Sequence, residues 1–372
     1  MSRIYNNGYT IEYPEALAYA GMPAIVRVSN LDNTYIGVGL TIKVGADYYT
    51  EVREPFNGAV AFDISRYMQM AFVGKDIAPT YGNDEQGVVS RAQANISVVV
   101  ALTDSAEALT NVLSFDVNAL IGYMTLGRAN GGVMRGRRWF VHYPQTFPFY
   151  GEDHLSVTLL LNGAENELPL QRLGSEIQQV EVELSQYRSA IPENTRTATL
   201  LASEASYING DKFNVATEAS YLLTIDRCKQ GVYLRWLDNT GQWCYYLFRV
   251  TGRSYATKEE QSWQDGILRS DLDKTQGVYM SSAQPHQRLS AQESISLGAK
   301  LVDAETFDYL LSLASSPIVE VFANPSEYFE NNTTTPLWER VSIVAGTYAR
   351  NSAPLQDFVL SIARAAHNSQ ML

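Results

Sequence analysis

Two groups of side chains have the types and spacing to do chemistry. Glu51, Glu54 and Asp63 flank an Asn57-Gly58 turn, and glycoside hydrolysis uses paired carboxylates about 5 to 10 Å apart around the scissile bond. Trp236 and Trp243 lie on the two arms of one expected hairpin, where their flat faces suit the C–H face of a pyranose. Together these residues describe a carbohydrate-binding module or a glycan hydrolase. The same residues have an ordinary use, because charges beside a hairpin turn are commonly solvated and aromatics in strands pack into sheet cores or interfaces. The ordinary use is the expectation taken here, and no catalytic residue is assigned.

Other catalytic patterns fail on detail. His142, His154, His286 and His367 are scattered, without metal-ligand spacing and without a Ser or Cys in a nucleophile context. Asp271, Asp273 and Thr275 alternate as in a calcium loop, yet Gln276 stands where such a loop needs glycine and Ser282 where it needs a bidentate Glu. No G-x-S-x-G, H-E-x-x-H, phosphate loop or dinucleotide fingerprint occurs, and Gly37-Val38-Gly39 sits in a strand pattern without a third glycine. Cys228 and Cys244 are too few for a disulfide framework and far from any His pair, so two free, packed thiols are expected. The Asn331-Asn332 tract reads as a loop whose sequons have no export signal to make them acceptors. No metal, no cofactor and no enzymatic activity is expected.

One basic cluster remains. Arg128, Arg135, Arg137 and Arg138, followed by Trp139, stand out in an acidic chain of 28 Lys+Arg against 40 Asp+Glu. A guanidinium fork suits phosphate or carboxylate, and here an arginine-rich arm docking on an acidic neighbouring subunit fits the charge balance better. The net charge of −12 opposes the counterion release that drives nucleic-acid binding, so nucleic acid is not expected as a partner.

The elements that position these residues read as β. Asn-Gly pairs at Asn7, Asn57, Asn130, Asn162 and Asn209 are hairpin punctuation. Apolar residues alternate at Val38, Leu40, Ile42 and Val44, and again at Ile177, Val180, Val182 and Leu184 with a one-residue offset at the start, which is the period of half-buried strands. The clearest hairpin spans residues 232–248, with Tyr233, Trp236, Trp243, Tyr245 and Tyr246 on its arms and residues 238–241 as its turn. Helix is minor. Asp303 is an expected N-cap ahead of Phe307, Leu310, Leu311 and Ala314, and residues 63–72 place Ile64, Tyr67, Met68 and Phe72 on one stripe.

The expected fold is therefore mainly β: two antiparallel sandwich-like or barrel-like domains, each with a short accessory helix. Residues 126–150, rich in Gly, Arg and Pro, read as an arm or linker. That gives an N-terminal domain over residues 1–126, the arm over 127–150, and a C-terminal domain over 151–372 with an exposed insertion at 255–275. At 45% hydrophobic and 18% charged the chain is globular, and neither a signal peptide nor a membrane span is expected.

Several segments taken together resemble virion proteins of tailed bacteriophages. They are residues 48–65 (YYTEVREPFNGAVAFDIS), the hairpin VYLRWLDNTGQWCYYLF from Val232, ETFDYLLSLASSPIVEV from Glu305 and WERVSIVAGTY from Trp338. Their order is similar to that of distal-tail or baseplate proteins of phages of gut anaerobes. The resemblance implies a non-catalytic, ring-forming component, commonly hexameric, between the tail tube and the tip, with a head-to-tail connector component or a fibre adaptor as the alternative virion role. It further implies a β-sandwich ring domain, contacts with itself and with tube, hub and fibre proteins, synthesis in the host cytoplasm and residence in the virion. On that reading Arg128, Arg135, Arg137, Arg138 and Trp139 are candidate intersubunit contacts, and the aromatic hairpin is core or interface.

Overall fold

The computed structural model describes residues 1–6, 8–79, 81, 88–122, 134–151, 155–168, 178–208, 211–265, 269–270, 279–280, 284–330, 335–365 and 367–369. The chain is mainly β, as its turns and alternation predict. Its buried apolar residues divide into three clusters.

The first cluster lies between two sheets. One has the strand order Ser2–Asn6, Tyr9–Tyr13, Ile25–Ser29, Val60–Asp63; the other runs Leu17–Tyr19, Leu109–Leu120, Gln93–Asp104, Tyr35–Val44, Asp47–Arg53. Val38, Leu40 and Ile42 point inward as the period requires, meeting Val26, Val28 and Phe62 from the facing sheet. Helix α1 (Ser65–Met70) closes one end with Tyr67 and Met68.

A second sandwich follows. Its five-stranded sheet has the order Met134–Phe140, Asp211–Asp226, Thr197–Ile208, Leu155–Leu161, Ala164–Leu168, and its three-stranded sheet the order Thr146–Gly151, Gln178–Glu183, Val88–Val89. Two of these strands fall in the stretch expected as an arm over 127–150. Trp139, Phe147 and Phe149 bury apolar surface there, which outweighs the Gly, Arg and Pro that suggest a loop. Pro148 is accommodated because its strand is the margin of its sheet.

The third core is enclosed by one sheet with the order Trp338–Arg340, Val319–Phe322, Val232–Leu237, Trp243–Asp265, Gln284–Val302, Gln356–Ala363, Ser342–Ile343. The strands at its two margins are separated in sequence only by Val341, so the sheet curls toward a barrel. Helix α2 (Ala304–Ala314) packs Phe307, Leu310 and Leu313 into it, and a short α3 (Pro325–Glu330), which the sequence pattern does not announce, adds Tyr328. Asp303 caps α2 as expected, accepting from the Thr306 N–H at 2.7 Å. Leu311 is exposed and Leu313 takes its place in the core. The stretch expected as a single C-terminal domain thus holds most of two cores.

Candidate functional site

The hairpin forms in the expected register, from Val232↔Phe248 to Leu237↔Trp243. The Asp238 carboxylate fixes its turn by accepting from the Thr240 and Gln242 N–H groups, at 2.8 and 2.9 Å. Gly241 takes φ +72°, and a Cβ there would lie 2.2 Å from the Ile121 carbonyl oxygen, so only glycine fits.

Tyr233, Trp236, Trp243, Tyr245 and Tyr246 are all buried, Trp236 completely. The Trp236 indole N–H donates to Ser312 Oγ on α2 at 2.8 Å, and that of Trp243 to the Ile77 carbonyl at 3.1 Å. Tyr309 Oη accepts from the Tyr245 N–H at 2.7 Å, and the Tyr233 hydroxyl donates to the Pro144 carbonyl. These rings are the packed centre of the third core. The alternative of a glycan platform finds no support in this geometry, since no face of Trp236 or Trp243 is open to a sugar.

The arginine cluster separates. Arg128 lies outside the described residues, and Arg135 is placed by its backbone, paired with Tyr221. Arg137 stacks on Tyr309 at 4.4 Å, with the Glu305 carboxylate 3.6 Å away. Arg138 lies 3.7 Å from the Asp226 carboxylate and over Tyr246. Both line a cleft of about 150 Å³ with Thr224, Tyr245, Tyr246, Asp303 and Thr306. Asp226, Asp303 and Glu305 offset its two guanidinium charges, so it ties the second core to the third rather than presenting an anion site. Trp139 is buried in the second core, where it cannot serve as the intersubunit contact expected of it.

The carboxylates near the first turn are structural. Glu51 accepts from Arg53, Arg66 and Tyr67. Burial works to raise its pKa, but hydrogen bonds from Tyr67 and the two arginines outweigh this and hold it below the ordinary value. Asp63 accepts from the Ser65 and Ala24 N–H groups, which likewise overcome burial. Glu54 is exposed. None of the three is arranged as a proton donor to a glycosidic oxygen.

Burial, with the charges of Lys229, Arg188 and Arg227, holds the His142 pKa below its ordinary value. His286 and His367 are placed only as strand residues, while His154, the Asp271 run and the Asn331-Asn332 tract lie outside the described residues. Among the described residues no three His, Cys, Asp or Glu converge as for a metal. Both cysteines are free; Cys244 is packed as expected, whereas Cys228 is exposed.

Sequence reasoning missed a buried polar chain. Arg235 donates from Nε to Glu320 at 2.6 Å and from a terminal nitrogen to Tyr81 Oη at 2.8 Å. Tyr81 and Tyr245 share a hydrogen bond between their hydroxyls at 2.8 Å, and Tyr245 another with Thr146 Oγ1 at 2.9 Å. Beyond Thr146 lie Gln179 and Glu181, both buried. Burial, opposed by hydrogen bonds from Thr146, Gln179 and Ser90, pushes the Glu181 carboxyl up to about 7. The available signals were a lone Arg in the apolar run Val232–Leu237 and polar residues alternating with Val180 and Val182, in a strand that both faces bury.

Of the insertion expected at 255–275, residues 255–265 form one arm of a ribbon, while 266–268 and 271–275 lie outside the described residues. Trp243–Asp265 pairs with Gln284–Val302 as far as Asp265↔Gln284. Among the described residues the neighbouring strands reach only Phe248 on one side and, through His367–Ser369, Leu289 on the other. Among the described residues the outer ribbon from Gln261↔Arg288 has no third strand.

No family model matches the sequence, and no curated protein matches it. A solved structure from work on host cell surface retention of a 1.5-MDa bacterial ice-binding adhesin is similar at 9% identity and TM-score 0.17, covering 93% of this chain and 92% of that one. A likeness at that TM-score carries no argument about fold or function. No helix among the described residues is long and apolar enough to cross a membrane.

Proposed function

We propose that this chain is a non-catalytic structural protein of a tailed-phage virion, a ring-forming distal-tail or baseplate component joining the tail tube to the tip or adsorption apparatus. The observation that carries the reading is the outer ribbon, residues 261–265 paired with 284–288, which has no third strand among the described residues. A two-stranded ribbon is marginal in water by itself, and its outer part, about 17 Å long at strand rise, gains support when a neighbouring subunit covers it. Tyr48, Val52 and Phe56, at 66%, 66% and 80% exposure in the first sandwich, add apolar surface that an assembly would bury. The resemblance of residues 48–65, 232–248, 305–321 and 338–348 to phage tail proteins points the same way.

The test is the mass of the purified chain by light scattering, with negative-stain images of the same peak. A closed oligomer with a central opening is the expected result. A monomer that also fails to join purified tail-tube or hub proteins would refute the reading. Its partners are then other copies of itself and the tail components on either side, and its residence is the virion.

A further inference from the structure

The strand Gln178–Glu183 sends Val180 and Val182 into the second core, so Gln179, Glu181 and Glu183 point to its other face. That face is buried too, because the other two cores close on it. The Gln179 N–H donates to Gln93 Oε1, at the start of a first-sandwich strand, at 2.8 Å. Its Nε2 donates to Ser90 Oγ at 3.3 Å, to Glu181 Oε1 at 3.1 Å and to the Gly241 carbonyl of the aromatic hairpin's turn at 3.1 Å. Glu181 therefore sits where all three cores meet.

Its surroundings do not suit a charge. Among the described residues no ion pair includes Glu181, and Arg235 is committed to Glu320 and Tyr81. The titratable groups acting on it or facing it are Asp238, Cys244 and Tyr245 of the hairpin and Tyr81 of the segment before the second core. Asp238 is a like charge, and the others are neutral at ordinary pH because burial raises them. Glu181 Oε2 and Gln179 Oε1 are both buried without a hydrogen-bond partner. Two buried acceptors on neighbouring side chains thus lack a donor, and a proton on the carboxyl removes an uncompensated buried charge.

We propose that Glu181 is a proton-operated latch at this junction: protonated, it lets the hairpin turn and both sandwiches close on one another, and its ionisation loosens them. The latch stands independently of the phage-tail reading. Burial together with Asp238 works in the same direction, placing the transition near neutrality. The folded chain then holds a proton that the unfolded chain has released, so the latch weakens as pH rises from the ordinary glutamate value through about 7.

The test is infrared difference spectroscopy of the full chain across that range, with thermal unfolding over the same range. A protonated-carboxyl band that titrates near neutrality and is missing from Glu181→Gln is expected. With it goes a fall in the unfolding midpoint toward alkaline pH that Glu181→Gln lessens, while Asp238→Asn keeps the band and moves its titration to lower pH. Should Glu181→Gln not fold, Glu181→Asp must shift the band. A carboxylate ionised throughout the range, or the same pH slope in wild type and Glu181→Gln, would overturn the proposal.

Discussion

The guanidinium of Arg235 lies 4.2 Å from the ring centroid of Trp338, so a cation in the aromatic hairpin is held against a strand at the margin of the barrel-like sheet. Trp243, at 4.9 Å, flanks the same guanidinium, and Glu320 neutralises it from the intervening strand. A buried charge held this way is retained by its partners. Its removal exposes their dependence on it.

Arg235→Met leaves Glu320 without its cation and Tyr81 without its donor. Breaking a buried pair by deleting one partner costs about 3–5 kcal/mol, and chemical denaturation of the variant should read a loss of that size. The double variant Arg235→Met with Glu320→Gln should recover part of it, because no uncompensated carboxylate remains. A loss below about 1 kcal/mol in the single variant is what an exposed pair gives, and would place this one at the surface.

Trp236→Ala removes a completely buried indole that is hydrogen-bonded to α2. Large-to-small changes of this kind cost about 3–5 kcal/mol, so the midpoint of urea unfolding should move far down. A sugar-binding tryptophan would behave oppositely, leaving stability near wild type and abolishing glycan binding. Unfolding curves and a glycan array on the same preparation separate the two.

The parts of this fold legible in sequence are those set by neighbours along the chain. The hairpin at Val232–Leu237 and its partner strand could be read because turn residues and aromatics alternate within a short window, and the Asp303 cap because capping is local. The strand Met134–Phe140 could not, since glycine and arginine mask its period and its partner is a parallel strand near residue 220. Partition into three cores depends on which apolar face meets which, and periodicity is silent about that. The arginines were found, but only the fold shows Arg137 and Arg138 already matched by Glu305 and Asp226. Glu181 was passed over because a carboxylate beside valines reads as the wet side of a strand.

Glu51 gives a second pH dependence, opposite in sign to that of Glu181. Its carboxylate is held below the ordinary glutamate value despite burial, by Tyr67, Arg66 and Arg53. Its contribution is present above the unfolded value and is lost as pH falls through the folded one. Thermal melts from neutral to acidic pH should therefore show Glu51→Gln less stable than wild type near neutrality, with the gap closing on acidification. A gap constant with pH would mean that the residue acts through packing alone.

The ribbon gives the sharpest separation of folding from assembly. Thr257 and Ala291 are paired in register, so joining them through an Asn-Gly turn deletes the outer ribbon and leaves a closed hairpin behind. The inner pairs from Arg249↔Gly298 to Thr257↔Ala291, which join the ribbon to the sheet, are retained, so the unfolding midpoint of the dilute chain should stay close to wild type. On the proposed assembly the mass in solution should fall, because the surface assigned to a neighbouring copy is gone. Val250 and Tyr255, exposed at 42% and 69% on the retained part, allow a finer version: Val250→Asp with Tyr255→Asp should weaken assembly in a dose-dependent way without unfolding the chain. An unchanged mass in both variants would move the subunit contact elsewhere, to the exposed Tyr48, Val52 and Phe56 of the first sandwich.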